Sequence, residues 1–351
     1  WEMPIRYQGI IQEHHQVRSS GGIFDVSHMG RVEFKGRHAR RLLERLCTRR
    51  IADMANGQCR YSLCCNEKGG VRDDVIVYRM DDDEFLVVVN GANREKMLQH
   101  FESVRSAADF SCSIEDKTLK TAMVAIQGPK VMGLISGFSK EIPTLKRYRF
   151  TVKNLLVVKL TVSRTGYTGE DGVEVIIPAG MVEMVMKLVL KDVDMNSAQA
   201  LLKPAGLGCR DSLRTEAGMP LYGHELGEEI NALECGVDFA ISLDKDQDER
   251  GEKFIGMEAL KQTAASGPRR KLVGMAFEGK RTARQGNTIA IGGETLGVVT
   301  SGCLSPTLDK PIAMGFVPAA KAAPGTAVAV DTGRGTLEGT IVALPFYKAP
   351  K

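Results

Sequence analysis

No run in the 351-residue chain approaches the roughly 20 consecutive apolar residues that a membrane-spanning helix needs. The longest runs, such as 85-FLVVV-89, have the length of a strand. No CxxC pair occurs among the eight cysteines, at 47, 59, 64, 65, 112, 209, 235 and 303, so a zinc ribbon or a thioredoxin-like centre has no support. Their irregular spacing fits free thiols in a reducing compartment better than a disulfide framework. The six histidines, at 14, 15, 28, 38, 100 and 224, include no HxxxH or HExxH spacing, so no metal site is expected. GxxxxGK[ST] is absent, and no glycine cluster keeps GxGxxG spacing, which leaves no phosphate loop. A strong charge of one sign is also missing. The chain has 47 basic and 43 acidic residues, a net +4, and lacks the concentrated basic stripe that nucleic acid would require. The clusters 37-RHARR-41 and 269-RRK-271 read as solvated faces, the first on a helix whose other side carries Leu42, Leu43 and Leu46.

What is present is the texture of a globular chain too long for one core, with two or three domains expected. Residues 1–262 read as a mixed α/β region. The strand-like 84-EFLVVVN-90 precedes a helical 92-ANREKMLQHFESV-104, and 121-TAMVAIQ-127 precedes 129-PKVMGLISG-137. A further strand, 155-LLVVKLTVS-163, leads through a glycine-rich turn to 173-VEVII-177, and a helix follows at 181-MVEMVMKLVLK-191. The segment 244-DKDQDERGEK-253 predicts a solvated loop, and 263-TAASGPRR-270 a linker. From there to 348, short strands recur with Gly and Pro between them, at 271–277, 295–301, 312–317, 326–330 and 337–342, the pattern of a small antiparallel barrel.

Three segments could carry chemistry. In 61-YSLCCNEKGGVRDDVIVY-78, two strand-like runs flank a Gly-Gly turn, so Asp73 and Asp74 sit near the start of the second strand and face opposite sides. One could present a carboxylate to a substrate amine in a semi-apolar cleft; equally, both could cap the turn. In 163-SRTGYTGEDGVEV-175, Gly166, Gly169 and Gly172 permit a closely approached backbone. Tyr167 and Glu174 could sandwich and hydrogen-bond a flat heterocycle, or the segment could be only a hairpin turn. In 204-PAGLGCRDSLRTEAGMPLYGHEL-226, Pro204 could open a helix to about Ala217. Arg210 and Arg214, one turn apart, would then share a face. An arginine there could grip a carboxylate, or both could join Asp211 and Glu216 in a surface ion-pair network. His28, in 24-FDVSHMG-30, could be an acid or base or a hydrogen-bonded structural residue. Ser27 beside it lacks a nucleophile-elbow context.

Taken in order, these segments resemble the glycine cleavage T-protein family. The resemblance runs through 1-WEMPIRY-7, 24-FDVSHMG-30, 61-YSLCCNEKGGVRDDVIVY-78, 124-VAIQGP-129 and 163-SRTGYTGEDGVE-174. It continues in 206-GLGCRDSLRTEAGMPLYGHEL-226, 254-FIGMEAL-260, 279-GKRTARQG-286, 301-SGCLSPTLDKPIAMGFV-317 and 345-PFYK-348. It implies an α+β, three-lobed folate-binding fold around a central site, with two intertwined lobes in residues 1–262 and a C-terminal antiparallel β-barrel in 270–348. It implies that the one-carbon unit of S-aminomethyl-dihydrolipoyl H-protein passes to tetrahydrofolate, giving 5,10-methylenetetrahydrofolate, ammonia and dihydrolipoyl H-protein. By position Asp74 matches the key carboxylate. Tyr61, Asn90, Tyr167, Glu174 and Arg210 match residues around the pterin and its tail, and Met29 a pocket-lining position. The implied setting is a monomer without metal, nucleic-acid or membrane partner, in the bacterial cytoplasm or the mitochondrial matrix.

The chain departs from the family in three places. Members usually carry a further segment before the first-motif Trp, which bears on H-protein docking. The stretch 246-DQDERGE-252 resembles an insertion, and members often carry more basic residues after the position of 346-FYK-348. Three relatives by fold read less well. A folate-dependent demethylase would be expected to lack the carboxylate at position 74, and a fused oxidase would need a flavin domain. A non-catalytic assembly factor of iron–sulfur metabolism would carry Lys-Gly-Cys where this chain has 218-GMPLYGHEL-226.

Overall fold

The computed structural model describes residues 1–350 apart from 156, 157, 192, 196 and 198. Three β-structures organise it. A six-stranded sheet runs in the order Lys203–Pro204, Gly22–Asp25, Thr121–Gln127, Gly172–Pro178, Val158–Ser163, Phe150–Leu155. A five-stranded sheet has the order Cys59–Cys65, Val71–Asp81, Glu84–Val89, Gly30–Lys35, Ser113–Asp116. Its strands fall in sequence between Gly22–Asp25 and Thr121–Gln127, neighbours in the first sheet, so the two lobes are interleaved along the chain. The third is a closed barrel of six strands spanning Arg270–Val342.

The strands follow from alternation. Val71–Asp81 buries Val71, Asp73, Val75 and Val77 on one side, while Arg72, Asp74 and Ile76 on the other are only half-buried. Of these, Val75 and Val77 pack with Leu42, Leu43 and Leu46 of helix Ala39–Leu46, and with Met97 and Phe101 of helix Arg94–Ala107, in one core. The opposite side, with Tyr78 and Ile76, meets a second core shared with the six-stranded sheet and with Cys209 and Leu213 of helix Leu207–Glu216. Turns at 222–256 and the helix Met257–Ser266, which takes up the first half of the expected 263–270 linker, pack Leu226, Ala232, Val237 and Leu260 against the Leu63 and Val71 end of the hairpin. Among the described residues no helix is long and apolar enough to cross a membrane.

Several sequence expectations are corrected in detail. The 155–163 run is not one strand. Leu155 ends one strand and Val158 begins its antiparallel partner, and positions 156 and 157 lie outside the described residues. Pro204 does not open a helix. It pairs in parallel with Ile23, and the helix starts at Leu207, after Gly206, whose N–H is bonded by Glu13 Oε2 at 2.8 Å. The helix expected at 129–137 is confined to Val131–Ile135. The barrel gains a short strand, Thr288–Ile291, that the sequence pattern did not single out. The charged 244–253 stretch is not uniformly solvated. Lys245 is fully buried, 2.6 Å from Glu44 Oε2, and donates to the carbonyls of Glu44, Cys47 and Arg49. A buried cation is tolerable only when its ammonium is so completely bonded.

Candidate active site

One cavity of about 610 Å³ gathers all seven side chains singled out in the sequence: Met29, Tyr61, Asp74, Asn90, Tyr167, Glu174 and Arg210. They come from five separated stretches of chain. The lining residues all lie within 28–239, so the barrel braces the cavity wall rather than forming it.

The hairpin sets the carboxylate. Register pairs Cys64 with Asp73 and Leu63 with Asp74. Tight closure needs glycine twice. Gly69 has φ +80°, and a Cβ on Gly70 would sit 1.8 Å from the Glu228 carbonyl oxygen. Asp74 points into the cavity, where it accepts hydrogen bonds from Asn90 Nδ2 at 2.6 Å and Tyr61 Oη at 3.2 Å. Asp73, on the opposite side, is fully buried. It accepts from the Asn90 backbone N–H at 3.0 Å, Asn90 Nδ2 at 2.8 Å and Asn93 Nδ2 at 2.7 Å. Neither aspartate merely caps the turn. Burial raises both carboxyls above the ordinary carboxylate range, and the neighbouring charge adds to the effect on Asp73. Among the described residues no cation forms an ion pair with either.

The glycine-rich turn supplies the second wall. Buried Gln127 staples it, donating to the Thr165 and Val173 carbonyls at 3.1 and 3.2 Å and accepting from Thr168 Oγ1 at 3.1 Å. A Cβ on Gly166 would lie 1.9 Å from Gln127 Oε1, so any larger residue would push the Gln127 amide out of these bonds. Tyr167 is held by its hydroxyl, which donates to the Pro220 carbonyl at 2.5 Å. Glu174 accepts from Thr165 Oγ1 at 2.6 Å.

Arg210 and Arg214 do share a helix face, but they do different work. Arg214 is buried, paired with Glu225 at 3.0 Å and with Asp211 at 2.8 Å, and donates to Ser301 Oγ of the barrel at 2.8 Å. Arg210 lies over the Tyr167 ring at 5.0 Å. Its Nη1 is enclosed without a hydrogen-bond partner, and among the described residues it forms no ion pair. Burial lowers its pKa. The surface network considered for this helix is therefore absent at Arg210. An enclosed guanidinium facing a cavity is a built receptor for an anionic or carbonyl oxygen.

Sequence reasoning left His28 open and missed other lining residues, among them Met123, Tyr148 and Phe239. His28 lines the cavity with Nδ1 enclosed and unpartnered, and burial lowers its pKa. Its turn is clamped by fully buried Arg31, which donates to the Ser27 carbonyl at 2.9 Å and to that of Met29. Phe239 shows as an exposed aromatic stacked against Tyr61 with ring centres 5.9 Å apart. Nothing in the surrounding sequence, which is largely apolar from Ala232 to Leu243, marks it out.

Residues 1–245 match the model of the GCVT N-terminal domain, and residues 270–348 that of the glycine cleavage T-protein C-terminal barrel domain. The chain is 45% identical over 350 residues to an aminomethyltransferase of Rubrobacter xylanophilus, covering 99% of this chain and 89% of the relative. It is 40% identical to one of Symbiobacterium thermophilum, covering 100% and 92%. The solved glycine cleavage system aminomethyltransferase T from Bartonella henselae superposes with a TM-score of 0.88 at 28% identity, over 99% of this chain and 92% of that one.

Proposed function

The chain belongs to the glycine cleavage T-protein family, and from that premise we propose that it is an aminomethyltransferase of the glycine cleavage system. It takes the one-carbon unit from the aminomethyl group on the lipoyl arm of H-protein and passes it to tetrahydrofolate. The products are 5,10-methylenetetrahydrofolate, ammonia and dihydrolipoyl H-protein. The observation that carries this reading is the convergence of Asp74, Tyr167, Glu174 and Arg210 on one cavity, with Arg210 left unpaired.

The residues fit a folate in their chemistry. Tyr167 offers a ring face, and Glu174 a fixed carboxylate for the N–H groups of a pterin. Arg210 offers the missing partner for a folate oxygen, and Met29 a soft apolar contact. Asp74 is the group that meets the reacting amine. In the reaction two folate N–H protons leave while the departing amine and the lipoyl sulfur each gain one, so the balance needs a proton carrier and no net acid. A carboxyl whose pKa burial has raised is suited to carry that proton, and a cavity filled by both substrates protects the electrophilic carbon from water. Positioning of two substrates supplies much of the remaining acceleration.

The direct test is methylenetetrahydrofolate formation by the purified chain with tetrahydrofolate and aminomethyl-loaded H-protein. Product that requires both substrates is expected; its absence, with both bound, would overturn the reading. A second prediction concerns Arg210. Because its guanidinium forms no ion pair among the described residues, Arg210→Ala is expected to weaken tetrahydrofolate binding about 10- to 100-fold, the worth of a charged hydrogen bond. The substitution should leave denaturant stability nearly unchanged, since it breaks no ion pair or hydrogen bond among the described residues and loses only the attraction of Glu174 and the contact with the Tyr167 ring. Calorimetric titration beside a urea melt checks both halves, and an unaltered affinity would remove Arg210 from the site.

A further inference from the structure

Asp73 takes no part in lining the cavity, yet it is tied to the residue that does. The Asn90 side-chain amide has two hydrogens. It sits 2.8 Å from Asp73 Oδ1 and 2.6 Å from Asp74 Oδ1, so one NH₂ group bridges both carboxylates. The remaining donors are also neutral: the Asn90 backbone N–H and Asn93 Nδ2 on Asp73, and Tyr61 Oη on Asp74. The other titratable neighbours are Cys64, opposite Asp73 in register, and Tyr167, which faces Asp74 across the cavity. Both of these are neutral at physiological pH, because a hydrogen bond with Cys47 and burial raise the Cys64 thiol and burial raises the Tyr167 hydroxyl. One amide thus holds both carboxylates, Asp73 fully buried and Asp74 half-buried, and among the described residues no arginine, lysine or histidine pairs with either. Such a pair does not readily carry two charges, and it titrates as a unit.

We propose that Asp73, Asn90 and Asp74 form one proton-sharing unit, in which Asp73 is a positioning residue that sets the charge of Asp74 from behind the cavity wall. This deepens the transferase reading and rests on it. The pair keeps a single proton near neutral pH. It can receive a proton released by the folate amine and return one to the departing nitrogen or sulfur, with no net gain. Burial raises the Asp73 carboxyl to about 7 and moves Asp74 in the same direction.

The test is titration of the aspartate carboxyls by carbon-13 NMR in the ligand-free full chain, run beside the pH–rate profile of transfer. In Asp73→Asn the midpoint of Asp74 is expected to fall by about one pH unit or more, a tenfold change in proton affinity. The acid limb of the rate profile should move with it. Asn93→Ala keeps both carboxyls and removes one donor from Asp73, so the upper midpoint of the pair should rise. A merely structural role would lower stability in both variants and would not move the midpoints in opposite directions. An Asp74 midpoint unmoved in folded Asp73→Asn would overturn the proposal, and so would an upper midpoint unmoved in Asn93→Ala. If the wild-type chain transfers no one-carbon unit, the transferase reading fails while the NMR titration still decides the coupling.

Discussion

Asp74→Asn is expected to cut turnover by about 10²- to 10⁴-fold, the usual worth of a positioned acid–base group, while tetrahydrofolate still binds. The substitution isolates the proton from the shape. An asparagine at 74 can offer its oxygen to Asn90 Nδ2 and its amide to the Tyr61 hydroxyl oxygen, so the two contacts now made at 2.6 and 3.2 Å both survive with roles rearranged. What is lost is the ability to take up and return a proton. Asp74→Ala is a harsher test of the same point, because it leaves an Asn90 N–H and the Tyr61 hydroxyl without their acceptor and adds a cavity. Single-turnover product formation measured beside folate affinity separates the two effects. Undiminished turnover in Asp74→Asn would take the residue out of the mechanism.

The hairpin that holds Asp74 was legible because its cause is local. Alternation along Val71–Asp81, the Gly-Gly turn and the opposite facing of neighbouring aspartates are all period-two arguments, and burial follows them residue by residue from Val71 to Val77. The barrel strands were legible for the same reason, except Thr288–Ile291, which is too short to show a period. The cavity as an assembly was not legible from pattern. Its walls come from stretches far apart in sequence, and only the ordered family resemblance set Asn90 and Arg210 beside Asp74 in advance. Harder still were the polar groups that hold those walls. Gln127, Arg31 and Lys245 look like ordinary solvated residues in the sequence, but each is buried by partners that the fold supplies. Lys245 finds the Glu44 carbonyl across 201 residues of chain. Hydrophobic periodicity carries no information about such pairs, since a charged residue interrupts the apolar pattern whether it faces water or a buried partner. Pro204 misled for a related reason. Its fixed φ suits a first helical turn and an edge strand alike, and the pairing with Ile23 decides between them.

Glu216 should prove the most costly single residue for stability. It ends the helix that carries Arg210, is wholly buried, and joins three parts of the chain. From helix Ile10–Ser19, His14 Nε2 approaches Oε2 at 3.1 Å and Arg18 Nη2 at 2.9 Å. From the barrel, Thr307 donates its N–H at 3.0 Å and its hydroxyl at 2.8 Å, and Ser305 donates its hydroxyl. Burial alone would favour the neutral acid, but the His14, Ser305 and Thr307 hydrogen bonds outweigh it and hold the carboxyl at about 2. Glu216→Ala strips a carboxylate from Arg18 and several donors at once. Breaking a buried pair in this way costs about 3–5 kcal/mol, against roughly 0–1 kcal/mol for a surface pair. The pH dependence has a definite sign. A carboxyl depressed in the folded state contributes stability that is present above its ordinary range, near 4.5, and is lost as pH falls toward about 2. Urea melts at neutral pH should show the full loss in Glu216→Ala. The gap to the wild type should narrow as the pH is lowered through that window. A variant within about 1 kcal/mol of the wild type at neutral pH would reduce Glu216 to the rank of a surface pair. It would also leave the barrel's hold on the Arg210 helix to Arg214, Glu225 and Ser301.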